Sequence, residues 1–191
     1  VLNQASLGRD AGLNAATTGR YLSILETSLL IDRLQPYHVN IGKRLVKSPK
    51  LYWNDTGMAS YLLGLDADTT LPGHPYVGAL FETAAIREVR VLLPVFAPRA
   101  RLFYFRSHNG LELDGLIQNG ERLVPFETKA STTVTADDAA GISRWLDLSG
   151  SDADGMVLYA GSEVKPLTRR VWAVPLRGRC RDRGHAPAEG R

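Results

Sequence analysis

The sequence predicts an α/β protein in two parts, a mixed sheet flanked by helices with a small helical unit in front of it. Three observations predict it. Two segments with apolar residues at helical spacing open the chain around Gly12. Three strand-like stretches follow in the middle, 101–107, 111–117 and 122–130, joined by glycine-containing turns. A helical segment at 137–148 and apolar stretches at 155–160 and 169–176 complete the pattern.

Residues 4–11, "QASLGRDA", read as a first helix and "GLN" as a tight turn. "AATTGRYLSILETSLL" reads as a second helix, with Tyr21, Leu22, Leu25 and Leu29 on one face. Two short apolar strands near 29–34 and 51–53 then enclose a Pro-, Gly- and Lys-rich loop. A helix-turn-helix followed by a strand pair is the layout of a winged helix-turn-helix domain. "NDTGMASYLLGL", 54–65, has Asn54 or Asp55 to cap its start and Gly64 near its end. Residues 66–76 carry two prolines and a glycine and read as an exposed connection. The predicted boundaries are 1–54 for the winged domain, 55–76 for helix and linker, 77–176 for the larger domain and 177–191 for a basic, disordered tail.

The larger domain opens with an amphipathic helix, 77–93, whose buried face is predicted to take Leu80, Phe81, Ala84 and Val91. His108–Asn109–Gly110 and Gln118–Asn119–Gly120 are the predicted turns between the three central strands. The element order is αβββαβ with one further strand.

Of the 191 residues, 44% are hydrophobic and 23% charged, and no apolar run approaches the roughly 20 residues that span a bilayer. No membrane partner is expected. The chain begins with Val1 and lacks a basic and apolar leader, so a fragment of a longer protein is expected. Its single cysteine, Cys180, cannot form an internal disulfide, which suits a reducing, cytoplasmic setting. The net charge of +3 is unevenly spread: residues 1–54 carry seven basic and three acidic side chains, and the tail carries five arginines. Both ends suit an anionic partner such as DNA. Within the first part, Asn14, Thr17, Thr18 and Arg20 lie near the start of the presumptive recognition helix, and Lys43, Arg44, Lys47 and Lys50 lie in the wing. The same layout also serves protein docking. His74, between Gly73 and Pro75, has no second ligand nearby and reads as a loop histidine.

The chemistry centres on "LELDGLIQNGERLVPFETKAS", 111–131. Cleaving a phosphodiester calls for a hard cation held by carboxylates that leave coordination positions open. Asp114 lies in one strand of the hairpin and Glu127 in the next, and pairing that sets them side by side would aim both at one ion. Alternation puts Lys129 on the face of Glu127, with Thr128 on the other. Glu82, early in the helix at 77–93, is the natural third acid. The competing reading makes these solvated strand charges, with Lys129 a surface partner of Glu127. Glu112 shares a face with Asp114 and is either an accessory ligand or an exposed glutamate. Arg106 either clamps a phosphate or pairs with Glu112 across the hairpin.

Helix-Glu82, strand-Asp114 and then Glu127-Thr128-Lys129 resemble the PD-(D/E)xK nuclease superfamily over 77–176. The resemblance implies a restriction-endonuclease-like αβββαβ core. It assigns Glu82, Asp114, Glu127 and Lys129 to catalysis, with Mg²⁺ or Mn²⁺ held by Asp114, Glu127 and Glu82. A narrower resemblance rests on "LFE" at 80–82, "FYFRSHNGLELDGLI" at 103–117, "VPFETKAS" at 124–131, "TTGRYLSILETSLLIDRL" and "KSPKLYWNDTGMASYLLGL". These segments resemble the C-terminal region of uncharacterised prokaryotic AAA-type ATP-binding proteins. That likeness implies an ATPase portion, in the full-length protein or in a separate chain, since no Gly-x-x-x-x-Gly-Lys-Ser/Thr loop occurs here. Two functions remain open: a metal-dependent DNA phosphodiesterase, and an inactive DNA-binding or protein-docking module that directs an associated ATPase.

Overall fold

A computed structural model describes residues 1–37, 48–65 and 73–176 of the chain. The wing residues Lys43, Arg44 and Lys47, most of the connection at 66–76 and the Arg-rich tail with Cys180 lie outside the described residues.

The first helix, α1 (Gln4–Asp10), starts where the Asn3 side chain accepts the amide of Ser6. The second, α2 (Ala15–Thr27), starts the same way from Asn14, which accepts the amide of Thr17. Gly12, at φ 67°, makes the left-handed turn between them. The sequence pattern predicts α2 to run on through Leu30. It stops at Thr27 because Leu29 turns left-handed, at φ 58°, and sends the chain into β1 (Ile31–Leu34). Asn54 holds that turn, its side chain donating to the carbonyl of Leu29 and its amide to that of Leu30. β1 pairs antiparallel with β2 (Lys50–Trp53), Ile31 opposite Trp53 and Leu34 opposite Lys50. The short helix α3 (Thr56–Leu62) is capped by Asp55, which accepts the amide of Met58.

The second part opens with α4 (Val77–Phe96), then β3 (Arg101–Arg106), β4 (Glu112–Asn119) and β5 (Arg122–Lys129). A 3₁₀ turn at Ala136–Ala139 leads into α5 (Ala140–Ser149), followed by β6 (Gly155–Tyr159), β7 (Lys165–Pro166) and β8 (Val171–Pro175). One mixed sheet takes all six of these strands in the order β3-β4-β5-β6-β8-β7. β3, β4 and β5 run antiparallel, β5, β6 and β8 parallel.

The two faces of the sheet bury different sequence signals. On one, Ala85 and Ile86 of α4 meet Tyr104, Phe126 and Leu158. On the other, Ile142, Trp145 and Leu146 of α5 meet Leu113, Leu116, Val157, Val171 and Ala173. α4 corrects the predicted buried face: Val91 is 58% exposed, and the face turned inward is Thr83, Ala85 and Ile86. The helix is apolar on more than one side, so periodicity alone left its orientation open. It also runs through Pro94 to Phe96, since proline removes one amide donor but keeps a helical φ.

The N-terminal unit is welded to the sheet. Leu34 and Tyr52 belong to the same buried cluster as Ile86 and Phe126. Beyond β1 the chain adds to the sheet's outer edge, the Tyr37 amide bonding the carbonyl of Tyr104 and the Tyr104 amide that of Gln35. Asp32 pairs with Arg90 of α4, and the Tyr104 hydroxyl donates to the carbonyl of Ser48. Buried apolar and polar ties together hold the strand pair against the β3 edge.

Candidate functional site

The site forms where the β4–β5 ladder opens. Regular pairing ends at Gly115 opposite Phe126. On the other side of β4, Phe103 pairs with Leu116 and Phe105 with Leu113, so Tyr104 alone spans Asp114 and Gly115. This bulge twists the strand and re-aims Asp114. One carboxylate oxygen of Asp114 then accepts both the amide and the hydroxyl of Thr128, at 2.9 and 2.8 Å, in place of the missing ladder acceptor.

The other oxygen of Asp114 faces a cation supplied by the N-terminal unit. Lys50 Nζ lies 2.9 Å from Glu82 Oε1, 2.9 Å from Glu112 Oε1 and 3.4 Å from Asp114 Oδ1. Tyr52 Oη donates to the same Glu82 oxygen at 2.6 Å. Lysine is seldom buried unless paired, and Lys50 is only 8% exposed, with three carboxylates around it. Burial alone would lower its pKa. The charges of Glu82 and Asp114 and the hydrogen bonds to Glu112 and Glu82 prevail, leaving it raised and the ammonium charged. The hydroxyl of Tyr52 is likewise pushed up, by burial first and by Glu82 next.

Glu127 and Lys129 face the α5 side, as alternation from Phe126 in the α4-side core requires. The Glu127 carboxylate packs over Gly141 of α5, where any β-carbon would overlap it. Lys129 Nζ pairs with Asp138 at 3.6 Å. Burial and then the charge of Asp114 raise the Glu127 carboxyl to about 7, Lys129 opposing the shift. The charge of Asp114 is therefore felt at Glu127, although the two carboxylates have different hydrogen-bond partners. Among the described residues, no three acidic, histidine or cysteine side chains stand at the spacing of a metal site. Glu82, Glu112 and Asp114 instead converge on the Lys50 ammonium, which balances part of their charge.

Of the other predicted residues, Arg106 lies opposite Glu112 and reaches it at 3.5 Å. It also lines a cleft of about 820 Å³ with Arg33, Ser48 and His108. Arg20 is exposed and Thr17 half-buried. Thr18 corrects the expectation of a groove contact. It is 3% exposed, its hydroxyl donates to the carbonyl of Asn14, and Gly8 of α1 packs against it. Lys50 is the residue that sequence reasoning misplaced, counting it among the wing lysines. A usable signal was present: Lys50 and Tyr52 alternate onto one face of β2.

These elements define a mixed α/β protein whose half-buried acidic cluster is completed by a buried lysine from its N-terminal strand pair. The chain belongs to the family described as Domain of unknown function (DUF4143), whose model matches residues 77–178. Residues 1–69 match the model of a second, Domain of unknown function (DUF8612). Two mycobacterial relatives are Uncharacterized protein Mb2031c of Mycobacterium bovis and Uncharacterized protein Rv2008c of Mycobacterium tuberculosis. Each is 34% identical over 175 residues, covering 92% of this chain. The chain spans 38% of the length of each relative. A chain in the assembly of Thermococcus gammatolerans McrB AAA+ hexamers with bound McrC is similar at 14% identity and a TM-score of 0.37. That similarity covers 51% of this chain and 27% of the other.

Proposed function

We propose that the chain is a metal-dependent DNA phosphodiesterase module with a restriction-endonuclease-like core and a winged helix-turn-helix in front of it. The observation that supports this reading is the placing of the Glu82, Glu112 and Asp114 carboxylates together at the mouth of the β4–β5 hairpin, with Glu127 and Lys129 on β5 beside it. Glu82, Asp114 and Glu127 would hold Mg²⁺ or Mn²⁺. The ion, when bound, would screen the phosphate's charge and acidify an attacking water. Lys129, on the Glu127 face, would orient that water or balance charge on the phosphate, and Arg106 in its cleft would position the backbone. The exposed Arg20, with Thr17 and the wing residues Lys43, Arg44 and Lys47, would hold duplex DNA.

The sequence resemblance to AAA-type ATP-binding proteins supports a place beside an ATPase portion, in the same polypeptide or in a separate chain. Plasmid incubated with Mg²⁺ or Mn²⁺ tests the hydrolase reading. Nicking by the parent that Asp114→Ala and Lys129→Ala each abolish is the expected result.

The second reading is a non-hydrolytic module that binds DNA or docks a protein to direct the ATPase. The seating of Lys50 among the carboxylates favours it, because a neutralised acidic cluster is a structural ion-pair network. DNA binding without nicking by the parent and both variants would select it.

A further inference from the structure

We propose that two grooves meeting at Arg33 form one continuous track for the sugar-phosphate backbone of DNA, with Arg20, Arg33 and Arg106 each taking a phosphate. The track rests on the DNA-binding part of the function proposed above and is independent of hydrolysis.

The first groove is the cleft of about 820 Å³ between the N-terminal unit and the β3–β4 turn, lined by Arg33 of β1, Arg106 of β3 and His108. The second, of about 620 Å³, runs along α2 past Arg20 and Ser23 and reaches the same Arg33. Gln4 also lines both. Its side chain donates to the carbonyl of Ala15 at 2.8 Å and lies against Gly19, where a β-carbon would crowd it, so the floor at the junction is fixed.

Among the described residues, three arginines and no aspartate or glutamate line the two grooves. Clefts lined by one sign of charge concentrate the field and draw in a polyanion. The arginines are held in place without being used up. Arg33 approaches Glu26 through Nε at 3.1 Å, yet that buried nitrogen makes no hydrogen bond among the described residues. Arg106 is exposed and reaches Glu112 only at 3.5 Å, while Glu112 lies closer to Lys50, at 2.9 Å. A guanidinium carries five donors in a planar fork that fits phosphate oxygens, so both arginines keep donors for an anion from outside. No Phe, Tyr or Trp lines either groove to stack a base, so the contact is with the backbone and carries no sequence information. At its far end Arg106 faces Glu112 across the β3–β4 ladder, so the track leads a strand to the edge of the acidic cluster.

The test is fluorescence anisotropy of a labelled DNA duplex with the whole chain at several salt concentrations, with plasmid nicking followed in parallel. Arg33→Gln and Arg106→Gln are each expected to bind several-fold more weakly and to reduce the slope of log affinity against log salt by about 0.9, the amount per lost phosphate contact. The double variant should lose about twice that slope. Arg106 is exposed, so its variant keeps the fold even if Arg33→Gln does not. Arg144→Gln, on the exposed side of α5 and outside both grooves, removes the same charge and is expected to bind as the parent does. Either groove variant, folded and no weaker than Arg144→Gln, would overturn the track; a loss on Lys47→Ala would then leave the DNA-binding reading standing without it. Weakened binding by both groove variants, with no nicking by any form, would uphold the track and remove the hydrolase. A parent that binds no DNA would overturn the track and the DNA-binding reading together.

Discussion

Asp114 accepts the backbone amide of Thr128 across the mouth of the β4–β5 hairpin, at 2.9 Å, and so does the work of a strand carbonyl with a side chain. A charged acceptor committed in this way contributes to stability as well as to any chemistry. Asp114→Ala is expected to lower unfolding free energy by about 2 kcal/mol, within the range of a hydrogen bond to a charged group. Thr128→Val, which keeps the amide and loses only the hydroxyl, should cost about 1 kcal/mol. Urea denaturation in the presence of EDTA measures both. Equal losses would mean that the amide bond contributes nothing.

Glu127 makes stability depend on pH with an unusual sign. Its carboxyl is raised from the ordinary 4.5 to about 7, by burial first and by Asp114 second. Between those values the unfolded chain has released the proton and the folded chain still holds it, so folding grows less favourable as pH rises. Above about 7 both states are ionised and the destabilisation is complete. The urea midpoint of the metal-free protein should therefore fall from pH 4.5 to 7, relative to a Glu127→Gln variant in which that component is missing. Identical pH profiles for the two proteins would contradict the burial of this carboxyl over Gly141.

Leu29 is left-handed, at φ 58°, and 75% exposed. A β-carbon in that conformation costs roughly 1–2 kcal/mol, and glycine gives back part of the gain through its looser unfolded state. Leu29→Gly should stabilise the protein by about 0.5–1 kcal/mol, seen as a higher thermal midpoint. A lower midpoint would show that the Leu29 side chain makes contacts that matter more than its backbone strain.

DNA affinity should track the basic residues of the first part. Arg20→Ala and Lys47→Ala are each expected to weaken binding similarly across sequences and to reduce the salt slope by about 1, as lost phosphate contacts do. Mobility shifts at several salt concentrations measure it. Unchanged affinity would place any DNA contact elsewhere, with the cleft bearing Arg33 and Arg106 the next surface to vary.

Local patterns made much of this fold legible in the sequence. Asp55 marks a helix start, and the alternation of Phe126, Glu127, Thr128 and Lys129 assigns faces on β5 before any coordinates are seen. What stayed hidden was long-range. Lys50 meets Glu82 and Asp114 across 32 and 64 positions, and nothing in "KSPKLYW" separates it from its basic neighbours except the tyrosine two residues on. The bulge that re-aims Asp114 comes from the mismatch between β3 and β4, which neither strand shows alone. Thr18 has the look of a groove contact, but Gly8 of α1 packs directly over it. The two-residue strand β7 is too short to carry any period.

Manganese bound per chain, counted by electron paramagnetic resonance, tests most directly whether Asp114 and Glu127 share an ion. One Mn²⁺ held by the parent and lost from both Asp114→Asn and Glu127→Gln is the expected result. Full retention of that ion by Glu127→Gln would leave the carboxylate over Gly141 outside the metal site, and a shared centre would be ruled out.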